Sequence, residues 1–365
     1  MDQDDAAAEG DASARNEFVR GNLRFYGAAD ALIPRALVVD IPEAARTVND
    51  AFVSAKVHTP AASGIATQGA VYYPDGRLME DFVERREALP DRFDDPITVD
   101  RERIAQAAVV LEGSAVYLGQ LSSHFGHFLL ESLARAWILE FVGPDCGIVF
   151  HHAVRSFKLQ PFAVRMLEAL GVQEHRLVVA SRDHVCRRLL VPSSQNWILF
   201  CMSTHFGRVF DKLRTALTSD ITDHFPKKVY FTRRQLAQRV QASDAKSGSL
   251  RRSYANEEEL ERIFDRAGYE IVAPERLTLE AQIAMVSRAT HIAGTTGSAM
   301  HLAIFNDRPD TRVISIDTRF SQSQLMIETV RGLQGHHIFG RGTRAADGTV
   351  MADTRFIDDV LSGIQ

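Results

Sequence analysis

His291-Ile-Ala-Gly-Thr-Thr-Gly-Ser-Ala-Met-His-Leu-Ala-Ile-Phe305 runs from a short apolar stretch through a small-residue turn into a second apolar stretch of helical spacing. It reads as a strand over His291–Ala293 and a helix over Ser298–Phe305, with Gly294 and Gly297 relaxing the backbone between them. The flanking sequence repeats the unit. Strands are predicted at Lys228–Thr232, Tyr269–Val272, Val313–Ile316 and His336–Phe339, and helices at Asn256–Ala267, Leu279–Arg288 and Gln322–Arg331. Gly268 stops the first of these helices and Thr278 caps the second. Short apolar strands alternating with helices specify a parallel, doubly wound sheet, which binds ligands beyond the carboxyl ends of its strands.

Toward the N-terminus the pattern loosens. Strands are predicted at Ala36–Ile41, Gly69–Tyr73, Gly147–His151, Leu177–Ala180 and Val185–Val191, with a helix over Leu159–Leu170 stopped by Gly171. Ala107–Leu111 and Ala115–Leu118 flank Glu112-Gly113-Ser114, which reads as a hairpin. Pro192-Ser193-Ser194-Gln195-Asn196 breaks the pattern and places a domain boundary at 193–205. The chain divides into an acidic disordered tail (1–20), an α/β domain (21–200), a second α/β domain (201–345) and a closing helix (346–365).

A chain of 365 residues with 45% hydrophobic and 24% charged residues has room for two such domains. A net charge of −5 argues against wrapping nucleic acid. Three cysteines without CxxC spacing read as buried apolar residues in a reducing compartment. No run of 18 apolar residues occurs, and the acidic start is unlike a signal peptide. A cytoplasmic protein follows, with peripheral contact to an inner membrane left open.

Three places carry candidate chemistry. Read as a helix, 123–137 puts His124, His127, Glu131 and Arg135 in one polar stripe on an otherwise apolar element, with Ser122 or Ser123 as cap and Gly126 allowing close approach. Such stripes are often a solvated face with i,i+4 pairs. The apolar remainder argues instead for packing on a sheet, with His127 and Glu131 acting as a unit and His124 beside them. The spacing matches no helical zinc motif. The turn at 294–298 supplies Thr295, Thr296, Gly297 and Ser298 at a helix start, an arrangement that cradles phosphate as well as a plain capped turn, with His301 one turn on. Arg233 and Arg234 end a strand and open the most basic stretch of the chain, which includes Arg252. Without interleaved aromatic residues it fits a diphosphate better than nucleic acid. Glu275, after the next strand, reads equally as an acceptor for ribose hydroxyls and as a plain surface carboxylate.

The block His124-x-Gly-His-Phe-Leu-Leu-Glu-Ser-Leu-x-Arg135, followed by the strand ending in Arg233, Asn256-Glu-Glu-Glu-Leu260, Leu279-x-x-Gln282 and Gly294-x-x-Gly297-Ser298, resembles the glycosyltransferase 61 family over about 107–320. Thr296 stands where eukaryotic members commonly have histidine, and the pattern is closer to bacterial members. The resemblance implies a GT-B-like fold of two Rossmann-like domains facing a cleft. It implies metal-independent, inverting sugar transfer from a nucleotide-sugar co-substrate to a glycan acceptor, with no further cofactor, in bacterial surface polysaccharide synthesis. On that reading His127, Glu131 and His124 are catalytic. Arg233, Arg234, Arg252, Glu275, Thr295, Thr296, Gly297, Ser298 and His301 bind the donor. Transfer of a pyruvyl or sulfuryl group on the same scaffold, or a non-catalytic glycan-binding role, are the alternatives.

Overall fold

The computed structural model describes residues 17–27, 37–55, 57–61, 64–80, 94–95, 99–152, 158–197, 200–235, 254–317, 320–344 and 350–364. The fold is mixed α/β, and the described residues form two principal sheets and three small ones. Of the tail expected over 1–20, residues 1–16 lie outside the described residues, as do those around Arg252, whereas Glu17–Arg20 form a paired strand in place of a disordered end.

The sheet of the second half has the strand order Glu17–Arg20, Leu23–Tyr26, Gln334–Ile338, Arg312–Ile316, His291–Thr295, Lys228–Phe231, Glu270–Val272. All neighbours are parallel except the edge hairpin Glu17–Arg20 with Leu23–Tyr26. Two of these strands come from the N-terminus. Leu23–Tyr26 completes the sheet more than 300 residues before its partner, and no local signal announces that pairing. From Lys228–Phe231 the chain moves outward to Glu270–Val272, then returns to His291–Thr295 on the opposite side. The strand order therefore reverses between Lys228–Phe231 and His291–Thr295, the place where open α/β sheets form a ligand crevice.

Successive strand residues point to opposite faces, and both are covered. Val229, Phe231, Ile292 and Val313 pack with Phe210, Leu213, Ile283 and Ile304. Tyr230, Ala293, Ile314 and Ile338 pack with Leu260, Phe264, Ile357 and Leu361. Helix Leu279–Arg288 has the predicted ends, with Thr278 Oγ1 accepting from the Ala281 N–H at 3.2 Å. Helix Gly207–Thr218 was not foreseen, although Val209, Phe210, Leu213 and Leu217 trace its buried face.

The first-half sheet has the order Leu177–Val179, Gly147–His152, Val109–Leu121, His184–Pro192, Ala45–Val53, Val71–Tyr72. Its first four strands are mutually parallel, and Ala45–Val53 runs antiparallel to both of its neighbours, His184–Pro192 and Val71–Tyr72. The hairpin expected around Glu112-Gly113-Ser114 is instead part of one strand, Val109–Leu121. Leu111 pairs with Cys186 and Ser114 with Arg188, so Glu112 and Gly113 together oppose Arg187. That is a β-bulge, which bends a strand without reversing it.

One cluster of buried side chains spans both halves, from Val116, Leu118 and Phe128 to Phe231, Ile292 and Met300. Cys146, Cys186 and Cys201 are all buried. Among the described residues no helix is long and apolar enough to cross a membrane.

Candidate active site

Strand Val109–Leu121 ends at the carboxyl edge of its sheet and leads directly into the polar segment. Neither Ser122 nor Ser123 caps it. His124 takes the N-cap position without a side-chain cap bond. Ser122 Oγ accepts from the His124 N–H at 3.1 Å, and Ser132 Oγ accepts from the Ser122 N–H at 2.9 Å. The single helix expected over 123–137 is a succession of three forms: an α-turn at Phe125–His127, a π-turn at Phe128–Ser132 and a 3₁₀ segment at Ala136–Phe141. The Leu133 N–H reaches back five residues to the Phe128 carbonyl at 3.2 Å, and this wide turn changes the facing of everything after it.

The polar stripe consequently ends at Glu131. His127 Nδ1 donates to Glu131 Oε2 at 2.7 Å, and the two side chains are 39% and 11% exposed. An ionised carboxylate only accepts, so Nδ1 carries the proton and Nε2 is the basic nitrogen. His124 is exposed, its ring edge-on to His127 at 5.0 Å. Arg135 leaves the stripe altogether. It is 1% exposed, its Nε donates to the Pro192 carbonyl at 3.2 Å, and its guanidinium lies 5.6 Å from the centre of the Tyr117 ring.

On the other side, Arg233 and the turn after Thr295 both lie at the point where the strand order reverses. A Cβ placed on Gly297 would stand 2.4 Å from Arg233 Nη1, so the guanidinium rests directly on that glycine. The Arg233 N–H donates to Glu257 Oε1 at 3.3 Å, and the Tyr230 hydroxyl donates to the same oxygen at 3.0 Å. Burial pushes the Glu257 carboxyl above its usual range, against the opposing pull of these donors and of the Arg233 charge. Among the described residues no backbone carbonyl takes the N–H groups of Gly297 and Ser298. The following segment is a 3₁₀ helix, Met300–Phe305, in place of the α-helix expected from Ser298. Six residues of 3₁₀ helix sum to no long macrodipole, so what the turn could offer an anion is its own N–H groups.

The other candidates separate. Arg234 is half-exposed and pairs with Glu261 at 3.1 Å, while the Thr232 hydroxyl donates to the same carboxylate. Thr295 is buried, and the Thr296 hydroxyl donates inward to Asp317. Glu275 is exposed in the turn Pro274–Arg276, beyond the sheet's edge strand. Sequence reasoning missed Tyr230 and Glu257, which hold the Arg233 backbone. It also missed Asp317, whose position just past a strand was the available signal. Among the described residues no three His, Cys, Asp or Glu side chains are grouped to hold a metal ion.

The two sides meet at Gly126. A Cβ there would lie 2.9 Å from Ser298 Oγ and 3.0 Å from His301 Nδ1. Only a residue without a side chain lets the His127 turn lie this closely on the Ser298–His301 turn. The dyad thus stands next to the turn that carries the Arg233 guanidinium. Each element follows a central strand of its own sheet, at the carboxyl end.

No curated protein matches the sequence. The family described as Glycosyltransferase 61 matches residues 125–314, more than half of the chain, from the turn bearing His127 and Glu131 to the strand behind the Thr295–Ser298 turn. The chain belongs to the glycosyltransferase 61 family.

Proposed function

We propose that the protein transfers a sugar from a nucleoside-diphosphate donor to a glycan hydroxyl with inversion at the anomeric carbon, on a GT-B-like scaffold. The observation that supports this reading is the contact of Gly126 with Ser298 and His301, which sets the turn bearing His127 against the turn on which the Arg233 guanidinium rests. Arg233 and the N–H groups of Gly297 and Ser298 hold the diphosphate, with Ser298 and His301 beside the sugar. His127 Nε2 takes the acceptor proton as the hydroxyl oxygen attacks the anomeric carbon. The bond from that carbon to the diphosphate oxygen breaks, and the leaving group departs with the electron pair toward Arg233. Glu131 stays ionised and stabilises the imidazolium through the 2.7 Å bond.

Incubation with a panel of nucleoside-diphosphate sugars and glycan acceptors tests the proposal, with the product's anomeric configuration read by proton NMR. Inverted product is expected. Donor sugars held at 100 times their dissociation constant should raise folding stability by about 2.7 kcal/mol. Pyruvyl or sulfuryl transfer predicts no such stabilisation, and retention of configuration would overturn the reading.

A further inference from the structure

Behind the Thr295–Ser298 turn lies a chain of polar groups sealed from solvent. The Thr296 hydroxyl donates to Asp317 Oδ1. Asp317 Oδ2 faces His337 Nδ1 at 2.9 Å, and His337 Nε2 faces Glu328 Oε2 at 2.8 Å. Gln324 Nε2 donates to the remaining Glu328 oxygen at 3.0 Å. Asp317, Gln324, Glu328 and His337 are all 0% exposed. Asp317, Glu328 and His337 come from beyond strand Arg312–Ile316, from helix Gln322–Arg331 and from strand Gln334–Ile338. All three lie outside the segment that matches the family.

The hydrogen-bond geometry matches an imidazolium between two carboxylates. Both imidazole nitrogens face carboxylate oxygens, which only accept, whereas a neutral imidazole has a single N–H. His337 is therefore the imidazolium. Its two carboxylate neighbours outweigh the cost of burial and raise its pKa to about 10. Phe25 stacks on the ring at 5.2 Å, and Phe320 meets it edge-on at 6.2 Å. The approach of Glu328 depends on Gly335, where a Cβ would stand 2.2 Å from Glu328 Oε2. Apolar packing stabilises a core at lower cost than a buried Asp–His–Glu cluster, so the cluster calls for a role other than stability.

We propose that Asp317, His337 and Glu328 are positioning residues that set the donor turn by holding the Thr296 hydroxyl. The imidazolium holds one Asp317 oxygen and leaves the other aimed at the Thr296 hydroxyl. The Thr296 N–H is meanwhile fixed to the Ile316 carbonyl at 3.2 Å, and the Asp317 N–H to the Ile338 carbonyl at 2.8 Å. With hydroxyl and amide both turned inward, Thr296 gives no proton to the donor. The next residue, Gly297, lies against the Arg233 guanidinium, and among the described residues no backbone carbonyl takes its N–H or that of Ser298. This rests on the proposed reading of the turn as a diphosphate site.

The test compares Thr296→Val, which keeps shape and loses the hydroxyl, with Thr296→Ser, which keeps the hydroxyl, in the full chain. UDP affinity is measured by calorimetry, kcat and KM with the active donor, and thermal midpoint alongside. Thr296→Val is expected to weaken UDP binding and raise donor KM about tenfold, with kcat within about twofold and the thermal midpoint little changed. Thr296→Ser should restore both values. UDP affinity in Thr296→Val equal to wild type would overturn the inference, as would failure of serine to rescue. Amide resonances of Gly297 and Ser298, in protein labelled with ¹⁵N-glycine and ¹⁵N-serine, give a readout independent of ligand. They should shift in Thr296→Val and in Asp317→Asn, and unmoved resonances would also overturn the inference. Wild-type protein that binds no nucleoside diphosphate would refute the functional reading alone, with the resonances still deciding whether the cluster sets the turn.

Discussion

Gly297→Ala separates the donor-binding geometry from folding. The new Cβ would stand 2.4 Å from Arg233 Nη1, against the 3.4 Å at which ordinary contact begins, so the guanidinium must retreat by about 1 Å. The displaced atom is the end of a flexible side chain, which relaxes at little cost, and Gly297 is absent from the positive-φ glycines that an alanine would strain. Alanine also lowers the entropy of the unfolded chain, by about 0.4–1 kcal/mol in favour of folding. Stability should therefore be unchanged or slightly higher. Binding should suffer, because a 1 Å shift is enough to lose a charge-assisted hydrogen bond, worth about 1.5–3 kcal/mol. That converts to a dissociation constant for UDP roughly 10- to 150-fold weaker. Calorimetry with UDP and a thermal melt on the same preparation read the two quantities side by side. A variant that melts like wild type and binds UDP within twofold of it would show that Arg233 does not clamp the diphosphate.

His127→Ala should lower kcat by about 10²–10⁴-fold, the usual worth of a general base, while UDP affinity stays near wild type. Arg233→Ala should do the reverse first, weakening UDP in calorimetry. Removing the amide in Asn196→Ala leaves the Leu130 carbonyl, which accepts from Asn196 Nδ2 at 2.6 Å, buried and unsatisfied; urea unfolding should show a loss of about 1–3 kcal/mol. His337, raised from 6.5 to about 10, adds stability that is complete below pH 6.5 and lost as pH climbs through 10. The advantage of wild type over His337→Gln should shrink by on the order of 4 kcal/mol across that window, and a constant difference would refute the imidazolium.

Legibility in the sequence followed the locality of the cause. Thr278 and the periodicity behind it are local, and helix Leu279–Arg288 stands where they predict it. Glu112-Gly113-Ser114 has turn composition, but the number of residues opposite it on His184–Pro192 decides between hairpin and bulge. The dyad was legible because an i,i+4 spacing brings His127 and Glu131 together on one helical turn, and the π-turn leaves that pair intact. Arg135, one further turn along, was misplaced because the Leu133 to Phe128 bond depends on packing that the spacing does not encode. Asp317, Glu328 and His337 meet only once a strand end, a helix and a neighbouring strand are assembled. In the linear text His336–Phe339 is merely a last strand.

The segment read as a break, Pro192-Ser193-Ser194-Gln195-Asn196, has a positive function in this arrangement. A helix that changes from α to π to 3₁₀ leaves backbone groups that its own ladder cannot satisfy, and buried ones must find partners elsewhere. The break supplies them. The Pro192 carbonyl accepts from Arg135 Nε and the Ser193 carbonyl from Trp137 Nε1 at 3.0 Å. The Gln195 N–H donates to the Ala134 carbonyl at 2.8 Å, and Asn196 Nδ2 donates to that of Leu130. This segment follows strand His184–Pro192, next to Val109–Leu121 in the sheet, so the irregular turn and its partners leave neighbouring strands at one carboxyl edge. Irregularity at the dyad is thus held by a second irregular segment. A regular loop there would leave the Leu130 and Ala134 carbonyls and the Arg135 and Trp137 side chains without these partners. The break after Pro192 and the inward turn of Arg135 are two sides of one packing solution in the segment whose Gly126 meets the Ser298–His301 turn.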